Sequence, residues 1–199
     1  MSNQSEIKRL ISNLTDLEKK QIPYATSLAL NNTAFQIKDA LVSQMKQKLD
    51  NPTPFTLRAV KIKKATKRRL YVEIYIADVQ AEYLKRMYYG GTKYPKRRAL
   101  VTPTKDLKLN KYGNITRNKV KTALSSKNYF SGTVTGQGGK RSGIFRKYKS
   151  GRIKQIIMWQ SRKEEKKRLE FDGVVEEIAG SSIDGHFKKA LAHAISTAR

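Results

Sequence analysis

The spacing of apolar residues changes near residue 50 from the period of a helix to that of a strand. The first segment predicts an amphipathic helix over Ser5 to Lys20, with its apolar face formed by Ile7, Leu10, Ile11, Leu14 and Leu17. A longer second helix can begin at Pro23, and its inward stripe is Leu30, Ala34, Ile37, Leu41 and Met45. Asn51-Pro52-Thr53-Pro54 is expected to end it.

After residue 54 the pattern favours strands. Leu70, Val72, Ile74 and Ile76 alternate with other side chains, and residues 55–62 are similarly β-branched, so we expect a β-hairpin with a basic connection over 63–68. A second hairpin is predicted from 144–148 and 153–159 around Ser150-Gly151, and it can extend the first sheet.

The remaining segments are less regular. We expect a short helix ending at Gly90-Gly91, a strand over 99–102 and a turn at Tyr112-Gly113-Asn114. A helix capped by Thr116 follows, directing Val120, Ala123 and Leu124 inward, and then a loop rich in Gly, Ser and Lys over 126–142. A C-terminal helix within 174–198 is expected to break once, because Gly180 and Gly185 weaken its middle. The prediction is a single α+β domain over 1–199 with an irregular basic segment at about 85–143.

Electrostatic charge is the strongest constraint on function. The chain has 42 Lys and Arg against 16 Asp and Glu, a net charge of +26, and self-repulsion of that size disfavours a lone compact monomer at low salt. Between Glu82 and Glu164 the one acidic residue is Asp106. No cysteine is present, which excludes disulfide and Cys-zinc classes and is compatible with synthesis in the cytoplasm. No apolar run reaches the ~18 residues of a membrane span, so no membrane partner is expected.

Tyrosines are interleaved with the cations of this middle segment. That mixture is typical of phosphate contacts with stacking, and also of wet protein-protein interfaces, whereas the remaining alternative is that the charges only solvate loops. The predicted partner-binding residues are Lys93, Tyr94, Lys96, Arg97, Arg98, Lys140, Arg141, Arg146 and Lys147.

No catalytic, metal or cofactor pattern is convincing. Residues 136–142 lack the glycine spacing of a phosphate-binding loop, and Arg141 stands where Ser or Thr should follow Lys140. His186 and His193 are two helical turns apart, ~10.5 Å, too far to share one metal ion. Glu73 and Asp78, the carboxylates a nuclease would use, point to opposite faces of a continuous strand. We therefore expect no enzyme, no cofactor and no small-molecule substrate.

The order of elements and several short phrases resemble the minor tail protein Z and the tail-completion, or neck, proteins of tailed bacteriophages. The resemblance spans most of the chain and is weakest over 78–142. It rests on residues 18–23, the small-residue helix 25–31, Gly143-Ile144-Phe145, Gly151-Arg152 and the helix at 187–195. Phrases of phage virion proteins also match at 51–56, 90–92, 95–97 and 112–114.

The resemblance implies long N-terminal helices and a C-terminal helix packed on a curved antiparallel sheet with long basic loops. It implies a non-enzymatic structural virion protein, made in the host cytoplasm, that forms a homo-oligomeric ring in the neck or at the tail end. Portal, adaptor or tail-tube proteins would be its neighbours, and packaged DNA is a further partner for the basic segment. The alternative function is non-sequence-specific nucleic-acid binding, and a metal-dependent nuclease is a third class.

Overall fold

A computed structural model describes residues 3–116, 118–136 and 138–197, and it confirms an α+β fold with a long N-terminal and a long C-terminal helix. The helices are α1 (Asn3–Asp16), α2 (Ile22–Lys48), α3 (Pro54–Leu57), α4 (Asp78–Tyr89), α5 (Lys119–Leu124) and α6 (Phe171–Ser196), and a π-helical turn, Leu17–Gln21, joins α1 to α2. The strands are β1 (Val60–Lys63), β2 (Glu73–Ile76), β3 (Gly91–Lys93), β4 (Leu100–Pro103), β5 (Tyr129–Gly136), β6 (Gly139–Lys147), β7 (Ile153–Gln160) and β8 (Lys163–Glu165).

The chain forms two compact units, where the sequence led us to expect one domain. The helical unit comprises the residues up to 48, residues 54–82 and the residues from 169 onward. The sheet unit comprises residues 49–53 and 83–168. The unit boundary therefore falls within α4, and residues 85–143 of the predicted irregular segment all belong to the sheet unit.

An alanine-rich seam joins the two long helices of the helical unit. Ala25 and Ala29 of α2 and Ala190 and Ala194 of α6 are all buried against each other, and larger side chains pack beside them. Alanine allows two helix backbones to approach closely, which aligns the neighbouring apolar groups for contact. This packing also keeps α6 continuous through Gly180 and Gly185, so the predicted break in that helix is wrong; Ala198, the last residue of the predicted range, lies outside the described residues.

The first hairpin, β1–β2, is attached to α2 through a side-chain amide. Asn31 Nδ2 donates to the carbonyl of Ala65 at 3.1 Å, and the Ala65 N–H donates to Asn31 Oδ1 at 2.8 Å. The hairpin register is antiparallel from Val60↔Ile76 to Lys63↔Glu73. Residues 54–57 form the single turn α3, so the strand predicted from residue 55 begins five residues later.

The predicted amphipathic helix near the N-terminus is present as α1, but its apolar face is not covered. Ile7, Ile11 and Leu14 remain exposed, Leu14 at 64%. The side chains of Leu10 and Leu17, which complete the predicted stripe, lie outside the described residues. In α2 four residues of the predicted stripe are buried, Ala34, Ile37, Leu41 and Met45, whereas Leu30 is half-buried.

The sheet unit is built on an antiparallel sheet of strand order β4-β7-β6-β5. Its core is Leu107, Ala123, Ile144, Ile156 and Ile157. The hairpin around Gly151 is confirmed, but it belongs to this sheet and does not extend β1–β2. Helix α5 begins after Asn118; Thr116 contributes only its carbonyl, which accepts from the Lys119 N–H, and Leu124 is exposed where the sequence directed it inward.

The loop predicted over 126–142 is wrong for most of its length, because β5 and the start of β6 form a regular hairpin there. Eight consecutive residue pairs, from Tyr129↔Arg146 to Gly136↔Gly139, are in register; Gln137 lies outside the described residues. The glycines in this stretch predicted a loop, but the sheet requires a residue without a Cβ at Gly143. A Cβ at Gly143 would lie 1.9 Å from the Ile157 carbonyl oxygen, next to an irregularity in the β6–β7 register.

We predict that Gly143→Ala destabilises the chain by about 1–3 kcal/mol, because the strands must separate to admit the methyl group. Gly132→Ala is the matched control, since Gly132 lies directly opposite Gly143 and a Cβ there meets nothing within 4 Å. Urea unfolding of both variants measures the difference. Equal stability of the two variants would contradict the close approach.

We predict that glycine-to-alanine substitutions in α6 have the opposite effect on stability. Gly180→Ala and Gly185→Ala should each stabilise the chain by roughly 0.5–1 kcal/mol, since both glycines are inside a continuous helix and a Cβ at either has open space. Thermal unfolding checks this. A lowered unfolding temperature in either variant would indicate that the helix is interrupted at that glycine.

Candidate functional site

Positive charge is concentrated in the sheet unit. Residues 49–53 and 83–168 contain 25 Lys and Arg against four Asp and Glu, a net charge of +21, whereas the rest of the chain contains 17 against 12, a net charge of +5. Four carboxylates cannot neutralise 25 cations by any arrangement of side chains. The sheet unit is therefore the candidate site for an anionic partner.

Five of the predicted partner-binding residues lie together at the end of β3 and in the connection to β4. Lys93 is half-buried at the end of β3, and the residues that follow it are exposed: Tyr94, Lys96, Arg97 and Arg98. Tyr94 is 67% exposed. This group, residues 93–98, is called the loop group below.

The other four predicted residues, the strand group, are carried by β6. Because side chains alternate along a strand, Lys140 and Arg146 share one face of the sheet, and Arg141 and Lys147 share the opposite face. All four are exposed. The structure thus places the strand group on both sides of the sheet and on a regular strand, where the sequence predicted part of a long basic loop.

Several tyrosines of this unit already hold a cation over the ring. The Arg146 guanidinium lies 4.7 Å from the ring centroid of Tyr148 and 5.7 Å from that of Tyr129. Lys111 lies 5.1 Å from the ring of Tyr112. Such contacts orient a cation and occupy the ring face that a base would stack on. Among the described residues of the sheet unit, the exposed tyrosines are Tyr89, at 76%, and Tyr94.

A row of hydroxyl groups beside the strand group escaped the sequence analysis. Ser131, Thr133 and Thr135 are exposed on β5, and Thr133 Oγ1 lies 2.7 Å from Ser142 Oγ of β6. Because Thr135 pairs with Lys140, this row lies on the same face as Lys140 and Arg146. The alternation of hydroxyls in Ser131, Thr133 and Thr135 was the signal, and the many glycines of residues 132–143 obscured it.

Three of the four carboxylates of the sheet unit are engaged in separate ion pairs. Asp106 pairs with Lys154, and Asp50 Oδ2 lies 2.8 Å from Arg168 Nη1. Glu165 Oε2 lies 3.3 Å from Arg86 Nε, linking β8 to α4 close to the start of the loop group. That Nε is buried and makes no hydrogen bond among the described residues, so the contact is an ion pair without hydrogen-bond alignment.

The residues considered for catalysis or metal binding are separated. Glu73 pairs with Lys63 at 3.3 Å and belongs to β2, whereas Asp78 begins α4. His186 Nδ1 shares a hydrogen bond with Thr33 Oγ1 at 2.9 Å. Within residues 3–116, 118–136 and 138–197, no three His, Cys, Asp or Glu side chains are grouped to hold a metal ion. Over the same residues, no helix has the length and apolar character to cross a membrane.

We predict that Glu165→Ala destabilises the sheet unit by roughly 1–3 kcal/mol, because the Glu165 side chain is only 9% exposed and its loss leaves the Arg86 guanidinium partly buried without its carboxylate. Glu164→Ala is the matched control, since the neighbouring Glu164 is exposed. Denaturant unfolding compares them. Identical midpoints would show that the Arg86–Glu165 pair contributes no net stability.

No protein-family model, curated protein or solved structure matches this chain.

Proposed function

We propose that this chain is a structural virion protein of a tailed bacteriophage, a ring-forming neck or tail-completion component that acts in head-tail joining or as a tail terminator. It works by docking and catalyses no reaction. The observation that carries the docking function is the segregation of charge, +21 on the sheet unit against +5 on the helical unit. The resemblance of the sequence to minor tail protein Z and tail-completion proteins is the reason for assigning the chain to a phage particle.

Charge segregation supports docking because the sheet unit then needs an anionic partner to relieve its internal repulsion. At physiological ionic strength charges are screened beyond about 8 Å, so relief of the repulsion requires anionic groups in direct contact with the sheet unit. The loop group and the strand group supply that contact. Partners that meet this requirement are acidic surfaces of portal, adaptor or tail-tube proteins, and packaged DNA.

The helical unit supports self-assembly into a ring. Its low net charge allows copies to approach, and α1 presents Ile7, Ile11 and Leu14 to solvent on one helical face. Burying each of these side chains contributes up to about 1.5–3 kcal/mol. A neighbouring subunit that covers α1 would gain this energy at every interface of a closed ring.

Nucleic-acid binding is the second candidate, and a specific arrangement favours it. Lys140, Arg146 and a row of hydroxyls share one sheet face, which suits contacts to phosphate oxygens. The cations held over Tyr129, Tyr148 and Tyr112 reduce the rings free for stacking, and this favours recognition of the backbone without reading of bases.

The decisive test of the proposed function is the composition of particles. We expect mass spectrometry of purified virions to find this chain, and electron microscopy of a deletion strain to show particles with unjoined heads and tails or unfinished tail ends. Absence of the chain from virions, or normal infectious particles after deletion, would overturn the proposal.

We predict that Arg97→Glu with Arg98→Glu lowers incorporation into particles about tenfold or more, because the loop group then repels an anionic surface. Lys188→Glu with Lys189→Glu is the matched control, since it makes the same change of charge at exposed positions of α6 in the helical unit. Quantitative mass spectrometry of virions measures both. An equal loss of incorporation in the two variants would indicate that the net charge of the chain, and not the loop group, controls incorporation.

Salt dependence distinguishes the two candidates. A nucleic-acid-binding protein is expected to bind duplex DNA without other phage proteins, with a log-log salt slope near −0.9 for each phosphate contacted. Filter binding between ~0.05 and ~0.2 M salt measures that slope. Binding that vanishes by ~0.15 M salt would exclude this function and leave docking to protein.

A further inference from the structure

Strand β5 is an open edge of the four-stranded sheet. The strand order places β5 at one edge and β4 at the other. The eight residues of β5, Tyr129–Gly136, include no charged residue and no proline, although the unit carries a net charge of +21. Edge strands are usually protected from pairing by charge, proline or a bulge. β5 has none of the three, since its register with β6 is unbroken.

The hydrogen-bond ladder shows which backbone groups of β5 face outward. The Lys147 N–H donates to the Asn128 carbonyl at 2.8 Å, so this opposed pair is of the hydrogen-bonded kind. In antiparallel strands bonded and non-bonded pairs alternate, which directs Phe130, Gly132 and Val134 to β6. The N–H and C=O groups pointing away from β6 are then those of Ser131, Thr133 and Thr135, all exposed residues.

The other strands that the structure describes offer no comparable edge. β4 has four residues and ends in Pro103. β1, β2, β3 and β8 have three or four residues each and all contain Lys or Glu. Among the described strands, the long uncharged edge is therefore β5.

The cations of the strand group lie on β6, the strand that pairs with this edge strand. A strand added to β5 would lie about 10 Å from β6, two strand spacings away. Thr135 and Val134 of β5 lie opposite Lys140 and Arg141, and both side chains are short, so an acidic side chain on the added strand and these two cations can meet across them. Charge complementarity selects an acidic occupant, because a second sheet unit would bring +21 against +21.

We propose that β5 accepts an extended acidic segment of another protein as a fifth strand of the sheet. Backbone hydrogen bonds to Ser131, Thr133 and Thr135 provide affinity, and contacts between the segment's carboxylates and Lys140 and Arg141 provide selectivity. This inference deepens the proposed docking function and rests on it for the biological partner.

The test uses the full chain and a peptide of alternating glutamate and valine. Fluorescence anisotropy at ~0.15 M salt should show saturable binding, about tenfold weaker for the matching glutamine and valine peptide. Hydrogen exchange by NMR should show new protection of the amides of Ser131, Thr133 and Thr135. The amides of Phe130, Gly132 and Val134 are internal controls, since they bond to β6 with or without peptide.

Thr133→Pro tests whether the outward backbone groups of β5 bind the peptide. It removes one outward N–H and the side-chain contact with Ser142 Oγ, but no backbone hydrogen bond to β6, so the peptide should bind about tenfold more weakly while the internal-control amides stay protected. If this variant loses the control protection, Lys140→Gln with Arg141→Gln provides the second arm, and should abolish the preference for glutamate over glutamine. Wild-type selectivity in that double variant would overturn the proposal.

Three further outcomes would also overturn it: no peptide-induced protection on β5, protection of the same amides in the free chain that rises with its concentration, or equal protection by duplex DNA. The second identifies another copy as the occupant, and the third identifies nucleic acid. Peptide binding is measured on the isolated chain, so absence of the chain from virions would refute the proposed function while leaving this result standing.

Discussion

Repulsion among 25 cations that share one unit with four carboxylates is the constraint on which the rest of this structure depends. The sheet unit offsets it partly with ion pairs, Asp106 with Lys154, Asp50 with Arg168 and Glu165 with Arg86. It also places the Arg146 guanidinium near the rings of Tyr129 and Tyr148, whose electrons stabilise its charge. The cations that these contacts do not neutralise are available to a partner.

The sheet tolerates this charge because its centre is apolar and buried, whereas the charged ends of β6 are exposed. Burial of Ile144, Ile156 and Ile157 holds the centre together, while cations extend into solvent from both faces of β6. Close packing at Gly143 fixes β6 against β7, so the cations stand on a rigid strand rather than on a loop. A rigid array loses less conformational entropy on binding than the same residues on a mobile segment would.

The two units have separable roles in the proposed docking function. The helical unit has an alanine seam, a hairpin bound through Asn31 and an apolar face on α1, which are features of assembly through packing. The sheet unit has excess charge and an uncharged edge, which are features of recognition by contact with anions and by strand addition. The charge difference between the units separates these two kinds of contact within one chain.

The sequence by itself determined the α+β class, the long helices, the end of a short helix before Gly90-Gly91, the turns at Gly113 and Gly151, and the location of the charge, because these follow from local spacing and from composition. Tertiary structure alone decided the rest. Gly180 and Gly185 remain helical because α6 packs along α2. Gly132 and Gly143 lie in strands because β5 and β6 pair there, and at Gly143 the Ile157 backbone needs the space. The predicted site residues were separated onto a loop and two sheet faces because strand pairing alternates side chains, and the open edge of β5 exists only once the strand order is set.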